Sequence, residues 1–499
     1  MSLHSSDRFK LPIRPLIAGL IVGVVGAVGF LSGALGSWSN KASDRFFMER
    51  KPDSSILIVA IDDASITRIG RWPWDRAVHA DLIRKLTAAG ASVIGYDVNF
   101  PEPQDATNDQ ALADAIREAG RVVLPIEVTP EMKNGAYTYD PASVVAPIST
   151  ILGAAARSGH VNYAPDTDGV IRRVPFFIHD PSGTTLPVFA MEIAKLAQRA
   201  PDINAVPHDA FGNVIINYLG PVRTFPTISA ADVLQGQFDP ARVNGKIVLV
   251  GATAPDLHDV QIAPTSPGVP MPGVERHASL LDTLITQNWL RPVPSVISVI
   301  ILLLLGLLCG LCITLVRARW SALILAVLWI AFLIGSVVLF GRGWIVDVVW
   351  PTIVLVFGYA TVTLERRLAA ERERRELKTA FSRYVSASVV DAIMKDPSKL
   401  KLGGERKFMT VLFSDIRGFT SISEQLKPER LVEILNLYLD RMTDIVFEHE
   451  GVLDKYIGDA VMAFWNAPFD QKDHALRAVK TALAMQKTLA AMNKERAFG

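Results

Sequence analysis

Charged residues are missing from long stretches of this chain and crowd together elsewhere. Residues 16–36, 293–316 and 320–341 carry no charge, and 343–364 carries only Asp347. A helix rising 1.5 Å per residue needs about 20 apolar residues to cross a hydrocarbon layer of roughly 30 Å. Core helices seldom stay apolar on every face for this long. The pattern therefore predicts four membrane spans, at 15–36, 293–316, 320–341 and 343–364. Between the first two, short apolar runs alternate with segments of helical spacing. Strands are expected at residues 55–62, 91–98, 121–128 and 245–251, and helices at 74–89, 111–119 and 273–289. Such alternation predicts an α/β domain with a largely parallel sheet over 37–292.

Charge gives the expected orientation. Arg8, Lys10 and Arg14 precede the first span, Arg317 and Arg319 divide the second from the third, and five arginines (366, 367, 372, 374 and 375) follow the fourth. All fall on one side if residues 1–14 are cytoplasmic, with Arg342 the exception. The α/β region is then extracytoplasmic and everything after Leu364 cytoplasmic, as in a multi-pass protein of a bacterial inner membrane. Ala34-Leu35-Gly36 resembles a cleavage site, but the apolar stretch is longer than a signal core, so an uncleaved anchor is expected. Cys309 and Cys312 are the only cysteines, and both lie within the second span. They are expected to be small packing residues, and disulfides do not hold the outer domain together. A net charge of +1 gives no signal for a nucleic-acid partner.

Asp62, Asp63 and Asp97 stand at the ends of predicted strands, where open α/β sheets bind ligands. Helix or turn capping is the ordinary role for such residues, and a small cationic or polyol ligand is the functional alternative. Trp72-Pro73-Trp74 is expected to be a packed turn. The segments IVAIDDASITRIGRWPWDR, VIGYDVNF, GHVNYAPDTDGVIRRVPF and GKIVLVGATAPDLHD, between an N-terminal anchor and three further spans, resemble the CHASE2 sensor domain of bacterial receptors. The resemblance covers roughly 40–340 and implies an extracytoplasmic sensor of unknown ligand.

Residues 365–404 read as a helical linker. Glu371 and Arg375 can pair at i, i+4. Leu377, Phe381 and Tyr384 form a brief stripe suited to dimer contact, and Pro397 with Gly403-Gly404 ends the helix.

Residues 408–415 (FMTVLFSD) form a β-rich run that ends at Asp415. Ile416, Arg417 and Gly418 turn the chain, and Ser421–Ile422–Ser423–Glu424 has the pattern of a capping box at a helix start. A strand feeding a glycine turn and a helix start suits phosphate binding. Residues 451–464 read as strand, tight turn, strand, with Gly458-Asp459 at the bend and Lys455 four residues earlier. Asp415 and Asp459 together suit a pair of divalent cations.

FSDIRGFT and KYIGDAVMAF are similar to motifs of class III nucleotidyl cyclases, whose N-terminal half 405–499 then represents; the expected fold is an incomplete α/β, ferredoxin-like domain. The resemblance implies metal binding by Asp415, Asp459 and the Ile416 carbonyl, with Mg²⁺ or Mn²⁺, two per site. It implies triphosphate binding by Gly418, Phe419 and Thr420, and purine selection by Lys455. A lysine donates and cannot accept, which suits N1 of adenine and favours ATP over GTP. It further implies conversion of ATP to cyclic AMP and pyrophosphate in a homodimer. A second purine-selecting residue and an Asn-x-x-x-Arg segment belong to the family pattern and are not found before Gly499. The chain as written is expected to be a piece of a longer cyclase and inactive by itself. The alternatives are a guanylate cyclase and a non-enzymatic receptor that uses this half for dimerisation.

Overall fold

The computed structural model describes residues 13–133, 135–257, 259–316, 318–381 and 406–494. The chain divides into two compact units, Met1–Thr363 and Leu364–Gly499.

The first unit is built on a six-stranded sheet. Its strands are β1 (Ile56–Ile61), β2 (Val93–Asp97), β3 (Val122–Ile126), β4 (Arg157–His160), β5 (Thr227–Ser229) and β6 (Ile247–Ala252). They lie in the order β5-β1-β6-β2-β3-β4, and every neighbouring pair is parallel. Alternation along β1 sends Ile56, Ile58 and Ala60 into one core and Leu57, Val59 and Ile61 into the other. Helices Phe189–Leu196 and Gly273–Thr286 contribute to the first core, and Arg76–Ala88 and Ala106–Ala119 to the second. A parallel sheet covered on both faces needs continuous apolar strands, which is why these runs were legible. The edge strands β4 and β5, RSGH and TIS, are short and mixed and carry no such apolar signature. A four-stranded sheet of Pro130–Lys133, Ala136–Tyr139, Phe177–His179 and Thr185–Pro187 was also missed.

Three described helices are long and apolar enough to cross a membrane: Ile13–Leu31, Ser295–Leu315 and Trp320–Gly341. The first two pack through glycine. A methyl group on Gly19 would run into the Gly306 carbonyl, one on Gly310 would meet the Pro15 carbonyl at 2.7 Å, and one on Gly23 the Leu302 carbonyl at 2.9 Å. Small residues at this spacing let helix backbones approach closely in lipid. Cys309 is buried and Cys312 half-buried, both as free thiols.

The expected span at 343–364 needs correction. Trp344–Ile345 is a short strand paired in parallel with Arg291–Pro292. The helix begins only at Val349, where Asp347 Oδ1 accepts from the Val349 and Trp350 amides, and runs to Phe381. Apolar residues therefore fill only its N-terminal part. The first span also ends sooner than expected: the chain turns after Leu31 and starts a second helix, Gly36–Asp44.

That second helix is clasped to the α/β domain. Arg172, almost fully buried, pairs with Asp44 (2.7 Å), Asp166 (2.7 Å) and Asp168 (2.9 Å). Its hydrogen bonds hold Asp168 below the usual carboxylate range. Phe47 meets Phe340 edge-on at 5.0 Å, tying the end of the third apolar helix to the same region.

The second unit contains β7 (Thr410–Ser414), β8 (Val452–Ile457) and β9 (Ala460–Trp465), antiparallel in the order β7-β9-β8. Helices Pro428–Glu448 and His474–Lys494 cover one face, burying Leu453, Val461, Ala463 and Trp465 against Met442, Val446 and Met485. Cross-strand partners Phe413 and Met462, with Val411 and Phe464, lie on the other face; Phe413 and Val411 are exposed. Glu371 and Arg375 pair at 3.3 Å on an exposed helix surface. Tyr384, Pro397 and Gly403-Gly404 lie outside the described residues, as do Arg8, Lys10 and Arg317.

Candidate active site and outer cleft

Strand β7 delivers Asp415 to its C-terminal end, and the β8–β9 turn delivers Asp459. Gly458 makes that turn possible with φ +68°, a left-handed conformation costly for residues bearing a Cβ. The two carboxylates converge on one backbone group: the Ile416 amide donates to Asp415 Oδ1 (3.1 Å) and to Asp459 Oδ2 (3.0 Å). Asp459 raises the Asp415 pKa above the usual carboxylate value, first through a shared hydrogen bond and then through its charge. Two like charges held on an exposed turn are relieved by a cation, so the pair suits a divalent ion. Among the described residues no cluster of three or more His, Cys, Asp or Glu side chains is placed to hold a metal; here the donors are two carboxylates and backbone.

Gly418 sits at φ +77° with open space around it, so conformation and not crowding calls for glycine. It is the N-cap of the helix Phe419–Gln425, and Phe419 and Thr420 form the first turn. The capping box expected at Ser421–Glu424 is not made: the helix starts two residues earlier, and Ser423 Oγ donates to the Thr420 carbonyl. Lys455 lies opposite Met462 in the β8–β9 ladder, on the face shared with Phe413. Its ammonium pairs with neighbouring Asp454 at 3.2 Å and is largely exposed. The fold therefore brings Asp415, Ile416 and Asp459 together within one chain, with Gly418–Thr420 directly following, while Lys455 points to solvent.

The outer domain holds a second carboxylate group. Asp62 and Asp63 prove to be structural: Asp62 accepts from the Ser65 amide at 2.8 Å, and Asp63 opens the helix that follows. Trp72 and Trp74 are a packed turn, edge-on at 5.3 Å, with Trp74 Nε1 donating to the Gly70 carbonyl. Asp97 differs. It ends β2 and lines a cleft of about 400 Å³ with Glu127, Tyr163, Asp259, Arg276 and His277. Burial, then the Asp259 charge, pushes the Asp97 carboxyl up to about 8; Glu127 adds to this and Arg276 opposes it. Asp259 is raised as well, chiefly by burial. Arg276 Nη2 donates to Asp259 Oδ1 (3.2 Å) and Nη1 to the Met271 carbonyl (2.8 Å). Tyr163 Oη and His277 Nδ1 are hydrogen-bonded at 2.8 Å, and burial drives the His277 pKa well down, so the ring is neutral. Sequence reasoning reached Asp97 through its strand-end position and missed Glu127, Asp259, Arg276 and His277.

A parallel α/β domain among apolar helices, followed by a hairpin module with paired aspartates, defines a membrane protein with a sensor domain and a cyclase module. Residues 18–312 match the CHASE2 domain, and the chain belongs to that family. Residues 405–498 match the adenylate and guanylate cyclase catalytic domain. Similar proteins include adenylate cyclase 1 of Rhizobium meliloti, 41% identical over 26% of this chain and 20% of that protein, and the adenylate cyclase of Anabaena cylindrica, 38% identical over 24% and 23%. The crystal structure of the adenylyl cyclase CyaB from P. aeruginosa is 44% identical over 18% of this chain and 48% of that one, with a TM-score of 0.18. The guanylyl cyclase Cya2 is also 44% identical, over 19% and 48%, with a TM-score of 0.18. The chain thus spans about a fifth of these curated relatives and about half of these solved cyclases.

Proposed function

We propose that this protein is a membrane receptor whose cytoplasmic module makes cyclic AMP and pyrophosphate from ATP under the control of an extracytoplasmic CHASE2 domain. The observation that carries the reading is the convergence of Asp415 and Asp459 on the Ile416 amide. Asp415, Asp459 and the Ile416 carbonyl would hold Mg²⁺ or Mn²⁺. When bound, such ions lower the pKa of an attacking hydroxyl and neutralise charge on a departing pyrophosphate. The Gly418–Thr420 turn offers backbone N–H groups to the triphosphate and orients it.

Lys455 supplies adenine selection from the partner of a homodimer. Its outward position, on the same face as exposed Phe413 and Val411, supports a role toward a second copy. Lysine at this position also favours ATP over GTP, despite the equal identity to a guanylyl cyclase. In the membrane, the apolar stretch after Val349 is the fourth span, and the arginines after Leu364 keep the cyclase module on the cytoplasmic side.

The test is product formation by the full-length protein in membranes. ATP with Mn²⁺ is expected to yield cyclic AMP at a rate at least about tenfold above cyclic GMP from GTP, corresponding to roughly 1.4 kcal/mol of selectivity. Equal use of GTP would remove the assignment of Lys455. No cyclic nucleotide from folded protein would remove the enzyme reading.

A further inference from the structure

The outer cleft has features that capping and packing do not explain. It opens at the C-terminal ends of β2, β3 and β4 and is closed by the helix Gly273–Thr286, the usual ligand position of an open parallel sheet. The Asp97 side chain is nine-tenths buried, yet its Oδ2 makes no hydrogen bond among the described residues. The nearest described cationic candidate, His277 Nε2, stands 3.6 Å away, beyond hydrogen-bonding distance, on a neutral ring. A buried carboxylate oxygen left without a donor is costly unless a ligand supplies one.

We propose that this cleft binds a small organic cation, a protonated amine whose ammonium group donates to Asp97 Oδ2. Three carboxylates, Asp97, Glu127 and Asp259, line the cleft with one guanidinium, Arg276, whose Nη atoms donate to Asp259 and the Met271 carbonyl while its buried Nε has no partner among the described residues. The carboxylates outnumber the guanidinium, which disfavours a simple anion. An ammonium, with several donors in a compact group, fits such a site without ideal metal geometry. The wall is preformed: Asn162 exchanges two hydrogen bonds with the Val128 backbone (2.6 and 3.0 Å), and Asn99 Nδ2 donates to the Val145 carbonyl. A volume of about 400 Å³ suits a small molecule and not a peptide.

Binding needs the ionised form of Asp97; burial, Asp259, Arg276 and Glu127 set its proton affinity, and neutral His277 and Tyr163 also face the cleft. The empty site holds a proton at neutral pH, since the Asp97 carboxyl is pushed up to about 8. An amine therefore displaces a proton, and its affinity rises with pH until Asp97 is ionised.

The test uses the full chain in lipid nanodiscs, with thermal unfolding and calorimetry as readouts, so it does not depend on cyclase activity. Ethanolamine and putrescine at millimolar concentration are the probes, with ethylene glycol, acetate and Ca²⁺ as neutral, anionic and metal controls. Both amines are expected to raise the midpoint of the outer domain, with affinity rising roughly fivefold from pH 7 to pH 8 and proton release measured across buffers. Asp97→Asn should fold and lose the amine effect; Glu127→Gln is the second variant, expected to weaken it. Absence of any amine effect, an equal effect of ethylene glycol, acetate or Ca²⁺, or an amine effect unchanged in both variants would overturn the proposal.

Discussion

Two groups of crowded carboxylates, one in the outer cleft and one in the hairpin module, are crowded by opposite means. In the outer cleft, burial raises Asp97 first and the charge of Asp259 second. In the hairpin module, Asp415 is exposed and is raised first by Asp459, through a hydrogen bond and through charge, and only then by desolvation. Burial makes a site rigid and selective, because water cannot relieve it. Exposure on a turn makes a site that stays open to a large, exchangeable ligand such as a metal-bound nucleotide. In the proposed function the first group senses and the second carries the chemistry.

The comparison breaks most readily at Asp459. Asp459→Asn in the full-length protein is expected to lower cyclic AMP formation by about a thousandfold, on the order of 4 kcal/mol of transition-state stabilisation. Thermal stability should change by less than about 1 kcal/mol, because relief of the like-charge contact offsets the weakened bond from the Ile416 amide, which the Asn oxygen can still accept. A variant that retains more than about a tenth of the rate would separate the pair from catalysis.

Next in size is the clasp between the outer domain and the helix after the first span. Arg172→Ala leaves Asp44, Asp166 and Asp168 without their shared cation, and loss of one partner from a buried ion pair costs about 3–5 kcal/mol. Chemical denaturation of the detergent-solubilised protein should show that loss in the outer domain. A change below about 1 kcal/mol would mean that solvent already screens the cluster.

Smaller still is the expected effect of Lys455→Glu: a drop of about tenfold or more in ATP preference over GTP, with the midpoint of unfolding unmoved, since the side chain is exposed and pairs only with Asp454 among the described residues. Steady-state rates with each nucleotide decide it.

The smallest effect sharpens the outer half of the comparison. A carboxyl whose folded pKa is raised favours the folded state while protonated. That contribution is complete below the unfolded value near 4 and is lost as pH rises through about 8. The outer domain is thus expected to lose a few degrees of midpoint between pH 6 and about 9, and Asp97→Asn to remove most of that dependence. An identical pH profile in the variant would assign the titration elsewhere.

What the sequence disclosed follows the reach of each interaction. Asp415, Ile416, Gly418 and Asp459 are set by local events, a strand end and a two-residue turn, and these carry local signatures. The sheet was legible because a parallel strand buried on both faces cannot tolerate polar residues. The cleft was not, because Asp97 and His277 lie 180 residues apart in sequence and meet only through the β2–helix packing of the finished domain. Residues 343–348 misled for a related reason. Trp344 and Ile345 are as apolar as a span, but their backbone pairs with Arg291–Pro292, and Asp347 caps the helix that follows. At Ser421 the composition of a capping box was present, yet the left-handed Gly418 had already begun the helix.

The central claim is that Asp415 and Asp459 form a cation site. Electron paramagnetic resonance titration of Mn²⁺ into the purified chain, wild type against Asp415→Asn/Asp459→Asn, measures it without relying on turnover. The wild type is expected to bind Mn²⁺ more tightly as pH rises and Asp415 gives up its proton, and the double variant to show no such binding. Equal Mn²⁺ binding by both proteins would contradict it.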